Sequence, residues 1–265
     1  MIYEAATAYV AKVPDSKGYI AYTAEEDVIW QRLYARQLTH LPGRAADEFM
    51  DGLSLLNMPR DRVPQCRDLD AALAPLTGFG VAPVPALIPF KQFFSLLANR
   101  RFPAASFIRN LADFDYVKEP DIFHEFFGHC PMLTVPRFAD FMQAYGELGC
   151  RVGHKQQVLL ARLYWYTVEF GLIDTPQGLR IYGGGILSSP EETCYALNNS
   201  DENCIVEYRE FNLREMLATP YRIDEKQPRY FVIKSYEQLF ELLNSDLLAE
   251  VERAILMREE QAAYC

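Results

Sequence analysis

Histidine, tryptophan and cysteine are scarce in this chain of 265 residues, which has four, two and six of them. Cys66, Cys130, Cys150, Cys194, Cys204 and Cys265 are scattered with no CxxC pair, which excludes a clustered thiolate metal site and a disulfide framework; free thiols are expected. Basic residues are in deficit, 26 Lys+Arg against 36 Asp+Glu, and the net charge of −10 with no Lys/Arg stripe excludes nucleic acid as a partner. No apolar run approaches the length of a bilayer crossing, and the opening MIYEAATAYVAK lacks the basic region and apolar core of a secretory signal. The expectation is a cytoplasmic protein with no membrane partner. Repeats, low-complexity tracts and interdomain linkers are also missing, so residues 1–265 are expected to form a single domain.

Aromatic residues are abundant. Half of the residues are hydrophobic, with 16 Tyr and 17 Phe, enough to fill a core in a chain of this size. Thr23 to Leu41 begins with a capping box, Thr23 and Glu26, and carries Ile29, Trp30, Leu33, Tyr34, Leu38 and Leu41 at helical spacing. Further helices are expected over Ala45 to Leu56, Asp68 to Leu76, Phe90 to Asn99, Phe138 to Gly149, Gln156 to Phe170, Pro190 to Leu197, Ser235 to Leu243 and Asp246 to Met257. Strand signals are short: Ala105 to Ile108, Leu179 to Tyr182 and Arg229 to Lys234. Pro83, Pro85 and Pro89 punctuate an apolar stretch, and Gly183 to Gly185 read as a tight turn. The fold class is mostly α with a small β component.

Two of the four histidines, His124 and His129, stand five positions apart within Pro120-Asp-Ile-Phe-His124-Glu125-Phe-Phe-Gly128-His129-Cys-Pro131. A zinc protease uses HExxH, because residues four apart on a helix differ by only about 40° in direction. Here the fourth position is Gly128. Five positions correspond to about 140°, so convergence requires the helix to end between the two rings, and Gly128 and Pro131 are read as its terminators. Spacing alone leaves a structural pair as an even alternative. A third ligand is suggested at Glu169, a carboxylate in the apolar run Tyr164-Trp165-Tyr166-Thr167-Val168-Glu169-Phe170-Gly171, where an unpaired charge is costly to bury. Two imidazoles and one carboxylate on one face of an ion suit non-haem Fe(II) and oxygen chemistry.

Those two segments, together with Tyr182-Gly-Gly-Gly-Ile-Leu-Ser-Ser189, closely resemble the pterin-dependent aromatic amino acid hydroxylases. The resemblance is strong over about residues 85–234. It implies a basket-like, mostly helical catalytic domain that uses Fe(II), a tetrahydropterin (tetrahydrobiopterin or a bacterial equivalent) and O2. It also implies His124, His129 and Glu169 as iron ligands and Glu125 as a catalytic residue close to the pterin. Phe93 would stack on the pterin, Tyr164 would stand at its oxygen-facing edge, and Ile88 and Phe90 would belong to its loop. The substrate would meet Arg109 at its carboxylate, Trp165 and Phe170 at its ring, and Gly185 and Ser188 behind them.

Trp165 resembles the phenylalanine-using members, which makes L-phenylalanine the expected substrate and tyrosine or tryptophan hydroxylation the alternative. Asp121 is read equally as a partner of a ligand imidazole or as a helix N-cap. Val117 departs from the Thr of animal members. Neither an N-terminal regulatory domain nor a long C-terminal heptad helix is expected, and hence a monomer or weak dimer. Two rivals stay open: a zinc hydrolase with Glu125 as base, and a binding module with a vestigial metal site.

Overall fold

Thr23 opens the first helix with reciprocal bonds: its hydroxyl accepts from Glu26 N at 3.2 Å, and the Glu26 carboxylate accepts from Thr23 N at 2.7 Å. The helix that follows, α1 (Ala24–His40), buries Ile29, Trp30, Leu33 and Tyr34, one face of a 3.6-residue repeat. A computed structural model describes residues 9–85, 87–197, 206–223, 225–244 and 246–263; Cys204 and Cys265 lie outside them, and Cys66, Cys130, Cys150 and Cys194 are free thiols. The described chain continues through α2 (Asp47–Leu56), α3 (Cys66–Thr77), β1 (Gly80–Val84), α4 (Phe90–Ala98) and β2 (Arg101–Ala105). Beyond the site come α5 (Pro136–Cys150), α6 (His154–Tyr164), β3 (Leu172–Thr175), β4 (Gly178–Ile181), α7 (Gly184–Leu187) and α8 (Pro190–Tyr195). The last elements are β5 (Glu207–Glu210), α9 (Leu213–Ala218), β6 (Arg229–Ile233), α10 (Glu237–Asn244) and α11 (Leu247–Ala263).

Helices dominate, as the periodicity indicated. The two small sheets are a parallel β1–β2 pair and a four-stranded sheet in the order β4-β3-β6-β5, in which only β3–β4 is antiparallel. α4 links β1 to β2 and packs closely on α5: a Cβ on Gly146 would lie 2.3 Å from Ala98 N, and one on Gly149 2.1 Å from the Phe94 ring. A continuous core of buried aromatics, among them Trp30, Phe123, Phe126, Phe127, Phe141 and Tyr145, runs beneath the segment that carries His124 and His129.

Several boundaries move. The strand expected over Ala105 to Ile108 lies earlier, at Arg101–Ala105, because its partner β1 ends at Val84, opposite Ala105. β1 itself contains Pro83, which a two-stranded sheet tolerates because both of its strands are edges. The short strands β1, β3 and β5 were not anticipated. Nor was α9, although Asn212 caps it by accepting from Glu215 N at 3.0 Å. The expected helix Gln156 to Phe170 is α-helical only to Tyr164. Gly183 to Gly185 is not a tight turn: Gly184 begins α7, and none of the three has positive φ.

Candidate metal centre

The pair His124 and His129 does not straddle a helix end, as the spacing argument required. Residues His124–His129 form a π-helical turn, closed by Cys130 N donating to Glu125 O at 3.3 Å. A π turn bonds each residue to the fifth one on, so side chains five apart return to nearly the same face. That widened turn, and not a break, brings the rings together. Gly128 serves a different purpose: a Cβ there would lie 2.5 Å from Gly184 O, so its bare backbone allows α7 to pack against the turn.

The same device recurs at the third donor. Trp165–Glu169 is a second π turn, closed by Phe170 N donating to Trp165 O at 2.9 Å, and it ends with Glu169 facing the histidines. His124 Nε2 and His129 Nε2 are 3.0 Å apart, His129 Nε2 and Glu169 Oε1 3.2 Å, and His124 Nε2 and Glu169 Oε2 3.5 Å. Donors bound about 2.1 Å from one ion at right angles stand about 3.0 Å apart. The three side chains therefore fit a single cation bound from one side.

Electrostatics prepare the donors. Burial pushes His124 down to about 4, so its ring is neutral at neutral pH. Burial also works against charge on Glu169, but His129 and His124 outweigh it and hold the carboxyl below its ordinary value. His124 Nδ1–H donates to Ser188 Oγ at 3.0 Å, and that hydroxyl donates to Gly185 O at 3.3 Å. The relay fixes the tautomer with the lone pair on Nε2. Ser188, expected in the substrate pocket, thus stands behind a ligand ring.

The glycine run presses on the same site. A Cβ on Gly183 would lie 2.4 Å from Glu169 O, one on Gly184 2.4 Å from His129 Nδ1, and one on Gly185 2.8 Å from Glu169 Oε2. Close approach, with no turn conformation, accounts for all three glycines. Glu125 is buried beside Glu169, and its carboxyl is pushed well above the ordinary range by burial and then by the charges of Glu169 and Asp121. Tyr164, likewise pushed up by burial, packs 6.4 Å from the His129 ring and takes the half-buried Phe93 edge-to-face at 5.2 Å.

Arg109, 5% exposed, grips Asp121, 0% exposed, through Nε to Oδ2 at 2.8 Å and Nη2 to Oδ1 at 2.9 Å, leaving Nη1 without a protein acceptor among the described residues. Asp121 Oδ1 also accepts from His124 N at 3.1 Å and does not meet an imidazole, so the N-cap reading of this residue holds. Trp165, which opens the second π turn, and Phe170, which caps it, pack at a tilt of 31° with centroids 4.4 Å apart. Phe90 is not brought to this cluster; its ring packs on His154 at the start of α6 and on Phe94 of α4, and Ile88 lies half-buried just before α4. Two residues at the site carried no sequence signal: Tyr221, stacked on Trp165 at 4.5 Å, and Gln227, whose Oε1 accepts from Trp165 Nε1 at 3.0 Å.

Two imidazoles and a carboxylate gathered on one face, in a mostly helical domain, make up the donor set of the non-haem iron oxygenases. Residues 1–261 match the family described as biopterin-dependent aromatic amino acid hydroxylase, and the chain belongs to that family. It is 51% identical over 249 residues to a phenylalanine-4-hydroxylase of Pseudomonas aeruginosa, covering 94% of this chain and 93% of that one. The apo structure of the cold-active phenylalanine hydroxylase of Colwellia psychrerythraea 34H superposes with a TM-score of 0.89 at 48% identity, covering 94% of this chain and 95% of that one. A Chromobacterium violaceum phenylalanine hydroxylase with bound iron(III) and 7,8-dihydrobiopterin gives 0.84 at 44% identity, covering 91% of this chain and 85% of that one.

Proposed function

We propose that residues 1–265 are one catalytic domain that converts L-phenylalanine to L-tyrosine with O2 and a tetrahydropterin, at a ferrous ion held by His124, His129 and Glu169. The observation that carries this reading is the convergence of those three donors within 3.0–3.5 Å of one another in a chain half identical to a phenylalanine-4-hydroxylase. The ferrous ion and reduced pterin supply the activation of O2 that places one oxygen atom on the ring's para carbon.

The chain's own residues bind, orient and keep water out. The free Nη1 of Arg109 suits the substrate carboxylate, while Asp121 fixes the plane of the guanidinium. The packed pair Trp165 and Phe170 forms an aromatic wall for the substrate ring, and Gly185, lacking a side chain, leaves room beside Glu169. Phe93 offers a face for the pterin, with Glu125 and Tyr164 as polar neighbours and Ile88 at the edge of its loop. Glu125, whose carboxyl is pushed upward by burial and then by Glu169 and Asp121, offers a buried polar group for hydrogen bonding to the pterin.

Anaerobic loading with Fe(II), followed by measurement of tyrosine formed per O2 consumed, tests the assignment. One tyrosine per O2 with phenylalanine and tetrahydropterin is expected. Ligand binding without O2 uptake would indicate the binding-module alternative, and tryptophan or tyrosine turned over in preference would refute the substrate.

A further inference from the structure

Trp165 has three close neighbours, Phe170, Tyr221 and Gln227. Phe170 packs against the indole with centroids 4.4 Å apart and planes tilted by 31°, and Tyr221 stacks on it at 4.5 Å and 21°. Such aromatic packing holds a ring in its plane but resists rotation within that plane only weakly, since it has no strong preference for direction. The in-plane tether is the bond from Nε1–H to Gln227 Oε1 at 3.0 Å.

Gln227 is itself immobilised. It is buried, and Nε2 donates to Arg222 O at 2.7 Å and to Glu225 O at 3.1 Å. Both amide hydrogens are committed to carbonyls, so the amide cannot flip and Oε1 must face the indole. Its backbone N–H reaches the buried Glu192 carboxylate at 3.4 Å, which also takes the Tyr230 hydroxyl. Glu192 lies in α8, and its own N–H donates to the capping Ser189, adjacent to the Ser188 that holds His124. The stretch carrying Tyr221 and Gln227 is tied back through Tyr166 Oη to Pro220 O at 2.8 Å and Arg162 Nη1 to Leu217 O at 2.7 Å. Tyr221 and Gln227, both between α9 and β6, therefore supply a stacking partner and the edge restraint of the indole.

We infer that Gln227 is a positioning residue that sets the in-plane orientation of Trp165, and through it the width of the aromatic wall and the preference for a single benzene ring over the bicyclic ring of tryptophan. This rests on the reading of Trp165 as a wall of the substrate pocket. Gln227→Met keeps the volume and removes the acceptor. One lost hydrogen bond is worth about a factor of five, so the ratio of kcat/KM for phenylalanine to that for tryptophan falls about fivefold, mainly through a higher KM for phenylalanine.

The test is a double-mutant cycle with Trp165→Phe, which lacks the donor. Adding Gln227→Met to Trp165→Phe leaves the selectivity ratio unchanged if Gln227 acts through the indole. An equal loss in both backgrounds overturns the inference, because Gln227 would then support the fold generally. Should Trp165→Phe alone leave the ratio unchanged, the wall reading itself fails; should it change the ratio while Gln227→Met does not, only the positioning role fails.

A spectroscopic readout is independent of turnover. The chain has two tryptophans, and Trp30 Nε1 donates to Pro59 O at 2.9 Å, so the Zn(II)-loaded full chain gives two indole N–H resonances. In Gln227→Met the Trp165 resonance moves and exchanges faster with solvent while that of Trp30 stays, and an unmoved Trp165 resonance overturns the inference. If Gln227→Met does not fold, Gln227→Asn withdraws the acceptor by one methylene and is held to the same outcomes.

Discussion

Replacing Asp121 with Asn is the sharpest test of how the ion pair with Arg109 supports the site. The carboxylate accepts four bonds: from Arg109 N at 3.0 Å and Nε at 2.8 Å through Oδ2, and from Arg109 Nη2 at 2.9 Å and His124 N at 3.1 Å through Oδ1. An asparagine amide has one oxygen, so either orientation forfeits two acceptors and turns an N–H₂ towards donors. It also leaves a guanidinium, 5% exposed, without its counter-ion. Breaking one side of a buried pair costs about 3–5 kcal/mol. At about 2–4 °C per kcal/mol for domains somewhat smaller than this one, the melting temperature falls by roughly 6–20 °C.

Thermal unfolding of Asp121→Asn followed by circular dichroism measures this directly, and a drop of less than 2 °C would refute the reasoning. The double change Arg109→Met with Asp121→Leu removes both charges and costs less stability than Asp121→Asn alone; costs equal to the sum of the single changes would show no coupling. The pH dependence carries a definite sign. Burial opposes the Asp121 charge, but Arg109 holds the carboxyl below its ordinary value, so its stabilisation is complete above about pH 4 and is lost as pH falls through the lower folded value.

Three further outcomes follow from the geometry. Ser188→Ala removes the acceptor that fixes the His124 tautomer, and Fe(II) affinity measured by competition with a chelator falls by about 10- to 100-fold while the fold is kept; unchanged affinity would dissolve the relay. Gly184→Ala places a methyl group 2.4 Å from His129 Nδ1, so it loses metal as judged by iron content, whereas Gly43→Ala, with nothing within 4 Å, retains iron and loses only about 1 kcal/mol of stability to its φ of +73°. Metal-free protein loses stability as pH falls from about 6.5 to about 4, since His124, pushed down to about 4 by burial, stays neutral in the fold while the unfolded chain takes up a proton. That slope is smaller in His124→Gln when melting temperature is followed against pH.

Local signals gave most helices to within a turn. The capping box of Thr23 and Glu26, and Pro190 after Ser189, act over three or four residues and can be read directly. The π turns could not. Their local composition is that of an ordinary helix, and the extra residue in each turn is accommodated by packing: Gly128 against α7, and Glu169 against Gly183 and Gly185. Spacing therefore pointed to the right histidines for the wrong reason, by way of a helix break that is absent. Phe90 shows the opposite limit, since adjacency to the pterin-loop motif says nothing of a ring that turns towards His154.

Residue types and order alone settled which side chains offer lone pairs, how the chain divides into helices, and to which family the three motifs point. The convergence of donors 40 and more residues apart, the pairing of Arg109 with Asp121 and the tether from Gln227 to Trp165 were decided only when the elements packed. The physical reason is that helix caps and periodicity are short-range preferences of the backbone. A bond between side chains 62 positions apart exists only because a shared core fixes where both segments lie.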